Sequence, residues 1–516
     1  MFVTATLSAL ITVLLSYFIW KFCSELYYSG KELMKLPDRM KTFKYILYGN
    51  THDFLDIANM IGEHCSSPLR LPMSSVFVVY EPNQVKTVLQ SQHCLERGFF
   101  YKVFDLLLGE GLATAPVSFW TESRKTISPF YNSNMLRKFF GSFVKQSLIL
   151  ANKLEEIGEN GNEIIFNEHV RMCIYANTYD VIVGNKVETV LKDQHFEALM
   201  RLTETVNYRI NLPLALNILM FNSVIYNFTP LRRKQQNLSK TVHLLTNKLI
   251  EQHQNELKQH SMEMENTNHE SVLDILIESS HKKNWTQKII FDNLVSLILA
   301  SSDSIGTTLN FTVFMLANFP EIQTKVYEEL LEIYGMKTPT SAPVKHDDLQ
   351  HMHYLERIIK ETMRLFPVFP VVGRDTTKDI KIGDTVLPKK ATIVMPIITM
   401  FRNKKYWPNP LKFDPDRFLT ERIKACDSYY FIPFSDGPRN CIGMKYSMMF
   451  MKVILATLIR TFVFKVDQSI EIDKIKLTTD MGGLIPFEPL KVKIEKRKFS
   501  DDISGDSSDS QTCKSK

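Results

Sequence analysis

The stretch from Trp285 to Phe319 constrains the fold most. It has helical periodicity and apolar flanks around a central island of Ser301, Ser302, Asp303 and Ser304. Four polar residues in succession, one of them acidic, are too costly for a helix facing lipid. They suit a helix that lines an interior cavity. No repeat or long linker interrupts residues 51–498, so these form one large domain. Its first two thirds have mainly helical patterns. One is Thr241–Gln259, with Leu244, Leu245, Leu249 and Ile250 at helical spacing and a polar loop, His260–Ser271, after it. Strand patterns come later, at Thr392–Ile398, Phe462–Val466 and Leu490–Ile494. With 44% hydrophobic and 23% charged residues, the chain is not a disordered, collagenous or polytopic membrane protein.

The N-terminus carries no charge from Phe2 to Trp20. A helix of that length reaches ~29 Å, close to the ~30 Å hydrocarbon core of a bilayer. A cleaved signal peptide would have a basic start and a small-residue cleavage site, and neither is present. Lys21, Lys31, Lys35, Arg39, Lys41 and Lys44 all follow the segment, which by the positive-inside rule places the bulk of the protein in the cytosol. The expected organisation is an anchor at 1–22, a hinge at 23–50, the main domain at 51–498 and a disordered Ser/Asp-rich tail at 499–516. Seven cysteines without a CxxC pair point to a reducing compartment. A net charge of +6 is too dilute to argue for nucleic acid, and fits a basic docking face or a membrane surface.

The chemistry concentrates in the segment from Phe434 to Gly443, FSDGPRNCIG. Gly437 and Gly443 allow close backbone approach, Arg439 sets a cation two residues before Cys441, and Phe434 offers a flat apolar face. A thiolate needs a cation, backbone N–H groups or a metal to stabilise it. No second cysteine lies nearby to build a zinc site, which leaves one thiolate beneath a large flat cofactor.

This segment resembles the haem-ligand loop FxxGxRxCxG of the cytochrome P-450 superfamily, with every specified position matched. The resemblance implies a mainly α fold with small β-sheets, the cytochrome P-450 fold, preceded by one transmembrane helix. It implies haem b (iron protoporphyrin IX) with Cys441 as the axial ligand to iron, and Arg439 as partner of a haem propionate. Glu361-Thr-Met-Arg364 resembles the family's ExxR, and Pro415-Asp-Arg417-Phe418 its PxRF. Together these imply a buried Glu361–Arg364–Arg417 network bracing the cysteine loop. Trp120 and Arg124, one helical turn apart, match WxxxR. With Arg374 they are expected at the haem carboxylates, where planar guanidinium forks bind bidentately.

In the central helix the family's (A/G)GxxT(T/S) corresponds to Ala300-Ser301-Ser302-Asp303-Ser304-Ile305. Serines replace the glycine and the threonine, and an isoleucine the hydroxyl residue after them. Asp303 beside Ser304 still provides an acid next to an alcohol, the pair that a proton relay needs. Thr307 and Thr308 stand one turn onward. Residues 108–115 (LGEGLATA) and 372–377 (VGRDTT) resemble the fatty-acid-hydroxylase-related clan widespread in insects. The glutamate that esterifies haem in many of its members corresponds to Ala300, so no such ester is expected.

The resemblance implies a monooxygenase that inserts one oxygen atom from dioxygen into a lipophilic substrate: a fatty acid, a terpenoid or hormone, or a xenobiotic. Electrons come from NADPH through a cytochrome P-450 reductase, with cytochrome b5 as an accessory donor, at the cytosolic face of the endoplasmic reticulum. Leu106–Leu108, Leu212–Ile225, Val368–Val372 and Leu484–Phe487 fall where the family lines its pocket. Two other readings keep the haem: an isomerase or dehydratase working without a reductase, and a non-catalytic binder of haem or lipophiles.

Overall fold

The computed structural model describes residues 69–71 and 75–499, apart from 159, 185–186, 213–219, 221–222, 262–270 and 424–427. The anchor, the hinge and the tail beyond Phe499 lie outside the described residues, as do most of 260–271 and of 212–225. Eleven helices of nine or more residues carry the described architecture. In chain order they are α1 (Pro82–Gln90), α2 (Val117–Ile127), α3 (Ser133–Gly158), α4 (Phe166–Ile182), α5 (Thr189–Ile210), α6 (Pro230–Ser261), α7 (Val272–Lys283), α8 (Gln287–Asn318), α9 (Pro320–Tyr334), α10 (His353–Leu365) and α11 (Met444–Thr461).

Four small sheets accompany them. The largest has the order β1 (Leu69–Leu71), β2 (Val76–Val78), β8 (Thr392–Pro396), β5 (Val371–Asp375) and β3 (Glu96–Arg97). Only its β2–β8 pair is parallel. The order β4 (Ile164–Ile165), β12 (Lys491–Lys496), β9 (Phe462–Lys465) makes a second sheet. β6 (Ile380–Ile382) pairs with β7 (Thr385–Leu387), and β10 (Leu477–Asp480) with β11 (Gly483–Pro486).

The central helix forms as its pattern predicts, and its polar island does not interrupt it. Ser301, Ser302, Ser304 and Thr308 each donate their hydroxyl to the carbonyl four residues back, at 2.6–3.0 Å. With the hydroxyls satisfied inside the helix, α8 runs unbroken for 32 residues. It is long and apolar enough to cross a bilayer, yet 72% of its most apolar window is buried in the protein, as expected of a core helix. Residues Ile290–Leu299 are all buried, whereas Ala300 is exposed and Ser301, Asp303 and Ser304 are half-buried. Accessible surface in mid-helix fits a helix that borders interior space at that point.

Other expectations shift in detail. The strand expected over 392–398 stops at Pro396, and Ile397–Phe401 form a short helix. Its partner strand begins at Val371, after Pro370, which has no N–H to extend the ladder. On α6 the apolar stripe narrows: Leu249 and Ile250 are buried while Leu244 is 58% exposed. The last strand starts one residue later than its pattern and runs to Lys496.

Candidate functional site

The cysteine loop is a tight turn anchored at both ends. The Cys441 N–H donates to the Phe434 carbonyl at 2.9 Å, and the Asn440 N–H to the Gly437 carbonyl at 3.1 Å. Gly437 has φ +70°, and a Cβ there would stand 2.0 Å from the Leu89 carbonyl oxygen at the end of α1. Only glycine meets both conditions. Gly443 is the N-cap of α11, so Cys441 precedes the N-terminus of an 18-residue helix, where the dipole favours negative charge. Cys441 keeps accessible surface although protein surrounds it closely, as at the wall of a cleft. Burial pushes its pKa up, against the pull of the Gly443 N–H and the Arg124 charge.

Arg124 is directed at this loop. Its Nη1 donates to the Asn440 carbonyl at 2.8 Å and its Nη2 to Asn440 Oδ1 at 2.7 Å. The resemblance places this fork at a haem carboxylate; in the structure both Nη groups engage the residue before Cys441. Arg124 keeps a Coulombic interaction with the sulfur.

Three other arginines crowd together. Arg97 on β3 pairs in register with Arg374 on β5, and both exert Coulombic effects on Arg439. Arg374 is 1% exposed and Arg439 4%. Arg439 lies over the Trp120 ring at 4.3 Å and donates Nη2 to the Ala115 carbonyl. Arg97 donates Nε to the Ala113 carbonyl, so the LGEGLATA segment provides a backbone shelf for two guanidiniums. Arg374 Nη2 and Arg439 Nε and Nη1 are buried without an acceptor among the described residues. Burial first, then neighbouring arginine charge, lowers the pKa of both to about 9. Buried cations in this state call for an anion.

Glu361, Arg364 and Arg417 come together in the structure. Glu361 and Arg364 side chains are 0% exposed and joined by two bonds of 2.7 and 2.8 Å. Arg364 also donates to the carbonyls of Phe401 and Pro410, and Glu361 accepts from the Asp414 N–H. Arg417 Nε stands 3.3 Å from Glu361, and its Nη groups bind the carbonyls of Pro408 and Asn409. The network thus holds the irregular chain from 401 to 417 by its carbonyl oxygens.

Asp303 and Ser304 do not hydrogen-bond to each other. Asp303 Oδ1 accepts from Arg171 Nη2 of α4 at 3.1 Å, and the Ser304 hydroxyl donates to the Ala300 carbonyl at 2.7 Å. Burial raises the Asp303 pKa despite Arg171.

The cytochrome P-450 family profile matches residues 41–494. The chain belongs to the cytochrome P-450 family. Among similar P-450s, the probable cytochrome P-450 312a1 of Drosophila melanogaster is 29% identical over 434 residues, covering 80% of this chain and 83% of that protein. Cytochrome P-450 4V2 of Mus musculus is 28% identical over 490 residues, 92% of this chain and 88% of its own. The crystal structure of the cytochrome P-450DA haem domain shares the fold, with a TM-score of 0.70 at 18% identity over 86% of this chain and 93% of that one. With these relatives the chain is a P-450 monooxygenase, an oxidoreductase, and family membership implies a haem-thiolate cofactor.

Several residues of this P-450 site carry no motif. Arg97 becomes visible only through its pairing with Arg374 across two strands, and Arg171 only through the packing of α4 on α8. Asn440 had a cue, since it is next to Cys441, but nothing local names its partner.

Proposed function

We propose that this chain is a membrane-anchored haem-thiolate monooxygenase. It acts on a fatty acid or similar long apolar substrate, with electrons from NADPH through a reductase. The observation that carries the proposal is the pairing of one interior thiol, at the start of α11, with a cluster of buried, acceptor-poor arginines. A haem matches that combination: one soft axial ligand for iron and anion partners for two propionates.

In this reading Cys441 holds the iron. Arg374 and Arg439 take the propionates, with the Trp120 ring stacked on Arg439 and Arg97 beside Arg374 as a third cation. Phe434 packs against the ring, and Arg124 fixes the loop through Asn440. Bound haem supplies dioxygen activation, helped by electron donation from the thiolate. Asp303 and Ser304 carry protons to the interior space that Ala300 borders. Glu361, Arg364 and Arg417 brace the chain before the loop.

The substrate class rests on the resemblance of 108–115 and 372–377 to the fatty-acid-hydroxylase-related clan. The apolar sequence of Leu106–Leu108 and Val368–Val372 agrees with it. In favour of a reductase is a cavity of about 420 Å³ between α10, the cysteine loop and α11. Phe431, Phe434, Met444 and Met448 line it, and Lys360, Lys445 and Lys452 are among its residues. Lys360 and Lys452 are paired there with Glu356, which leaves exposed Lys445 beside the apolar lining to meet an acidic redox partner. The uncharged Phe2–Trp20 segment supports an anchor in the endoplasmic reticulum membrane.

The test is turnover of C12–C18 fatty acids by purified enzyme reconstituted with NADPH-cytochrome P-450 reductase. Hydroxylated product that requires both NADPH and reductase is expected. Product formed from lipid peroxides without NADPH would instead assign an isomerase or dehydratase.

A further inference from the structure

The β10–β11 hairpin turns at Met481 and Gly482, both at positive φ (52° and 75°), immediately after Asp480. Asn207 on α5 and Asn211, which caps its C-terminus, pin this turn. Asn207 Oδ1 accepts from the Met481 N–H, and Asn211 Nδ2 donates to the Thr479 carbonyl at 3.4 Å. The pin brings the Asp480 carboxyl to where α4, α5 and α8 meet. The charged groups that face it are Asp303 of α8, Arg171 of α4 and Glu204 of α5. Asp480 Oδ1 is buried with no hydrogen-bond partner among the described residues.

Three carboxyls here share one guanidinium, and Arg171 already gives its Nη2 to Asp303. Asp303 and Asp480 cannot both be ionised at low cost. Burial, then the Asp303 charge, pushes the Asp480 pKa up to about 6. Exposure is graded too: Glu204 is exposed, while Asp480 and Asp303 are half-buried. A half-buried carboxyl that is partly protonated near neutrality and interacts with Asp303 is suited to pass protons to it.

We infer that Asp480 is the outer proton carrier for Asp303. It takes a proton from solvent water and passes it to the Asp303 carboxylate, which as a neutral acid loosens from Arg171 and serves Ser304. Asp480 is left ionised and is recharged from water, so each delivered proton is balanced by one taken up. This rests on the reading of Asp303 and Ser304 as the acid–alcohol pair.

The test uses the full-chain holoenzyme as wild type, Asp480→Asn, Asp480→Glu, Asp303→Asn and the Asp480→Asn/Asp303→Asn double variant. Infrared titration should show a carboxyl band with a midpoint near 6 that is absent in Asp480→Asn, and lower in midpoint in Asp303→Asn because a like charge is gone. Reductase-supported NADPH oxidation without added substrate should slow about tenfold in Asp480→Asn and recover in Asp480→Glu. The double variant should be no slower than Asp303→Asn alone. If Asp303→Asn slows the reaction and Asp480→Asn does not, the inference fails while the acid–alcohol reading stands. If neither variant slows it, both fail. A band midpoint indifferent to Asp303→Asn would also overturn the inference.

Discussion

Arg124 grips Asn440 with both of its Nη groups, at 2.8 Å to the carbonyl and 2.7 Å to the side-chain oxygen, one residue before the cysteine. A helix that opens near residue 117 is thereby tied to a loop more than three hundred residues later. Arg124→Lys keeps the charge but loses the fork. It should speed haem loss to a scavenging apoprotein by about tenfold, the equivalent of one charged hydrogen bond. A loss rate equal to wild type would mean that the contact does not hold the loop.

Glu361→Gln should be severe, because it leaves Arg364 buried opposite a neutral amide. Breaking a buried pair in this way removes roughly 3–5 kcal/mol. The expected outcome is a sharp fall in melting temperature and in the fraction of purified protein that carries haem. A variant with wild-type Tm would show that the carbonyl bonds of Arg364 suffice alone.

Gly437→Ala tests the loop's backbone. A non-glycine residue at φ +70° loses about 1–2 kcal/mol, and the new methyl would meet the Leu89 carbonyl at 2.0 Å. Little haem-loaded protein should be recovered, whereas Gly443→Ala, whose Cβ would meet only ordinary contacts at 3.9 Å, should be milder. Equal yields from the two would contradict the geometry.

Glu356 supplies a pH-dependent prediction. Burial opposes its charge, but Lys360 at 2.6 Å and Lys452 at 2.7 Å win and lower its pKa to about 2. A depressed carboxylate pKa adds stability that is complete above the ordinary value near 4.5 and fades as pH falls towards 2. The Tm difference between wild type and Glu356→Gln should therefore be largest near pH 6 and shrink below pH 4.5. A difference that stays constant across this range would rule out the charge as its source.

The features legible in the sequence are those whose geometry is local. Glu361 and Arg364 share a helix face by their spacing, and the two glycines around Cys441 announce a tight loop. The length of α8 follows from its periodicity. What stayed hidden depends on pairing between distant segments. The adjacency of Arg97 and Arg374 exists only once β3 lies beside β5. The partner of Asp303 is Arg171, from a helix far earlier in the chain, and the hydroxyls of the polar island turned inward to their own helix. The WxxxR motif names Arg124, but its hold on Asn440 exists only once the cysteine loop docks beside α2.

The central claim is that Cys441 ligates haem iron, and the absorption spectrum of the dithionite-reduced, carbon-monoxide-bound protein tests it most directly. The account predicts a strongly red-shifted Soret band in wild type that is lost in Cys441→Ala. A protein that binds no haem, or a band unchanged by the substitution, would contradict it.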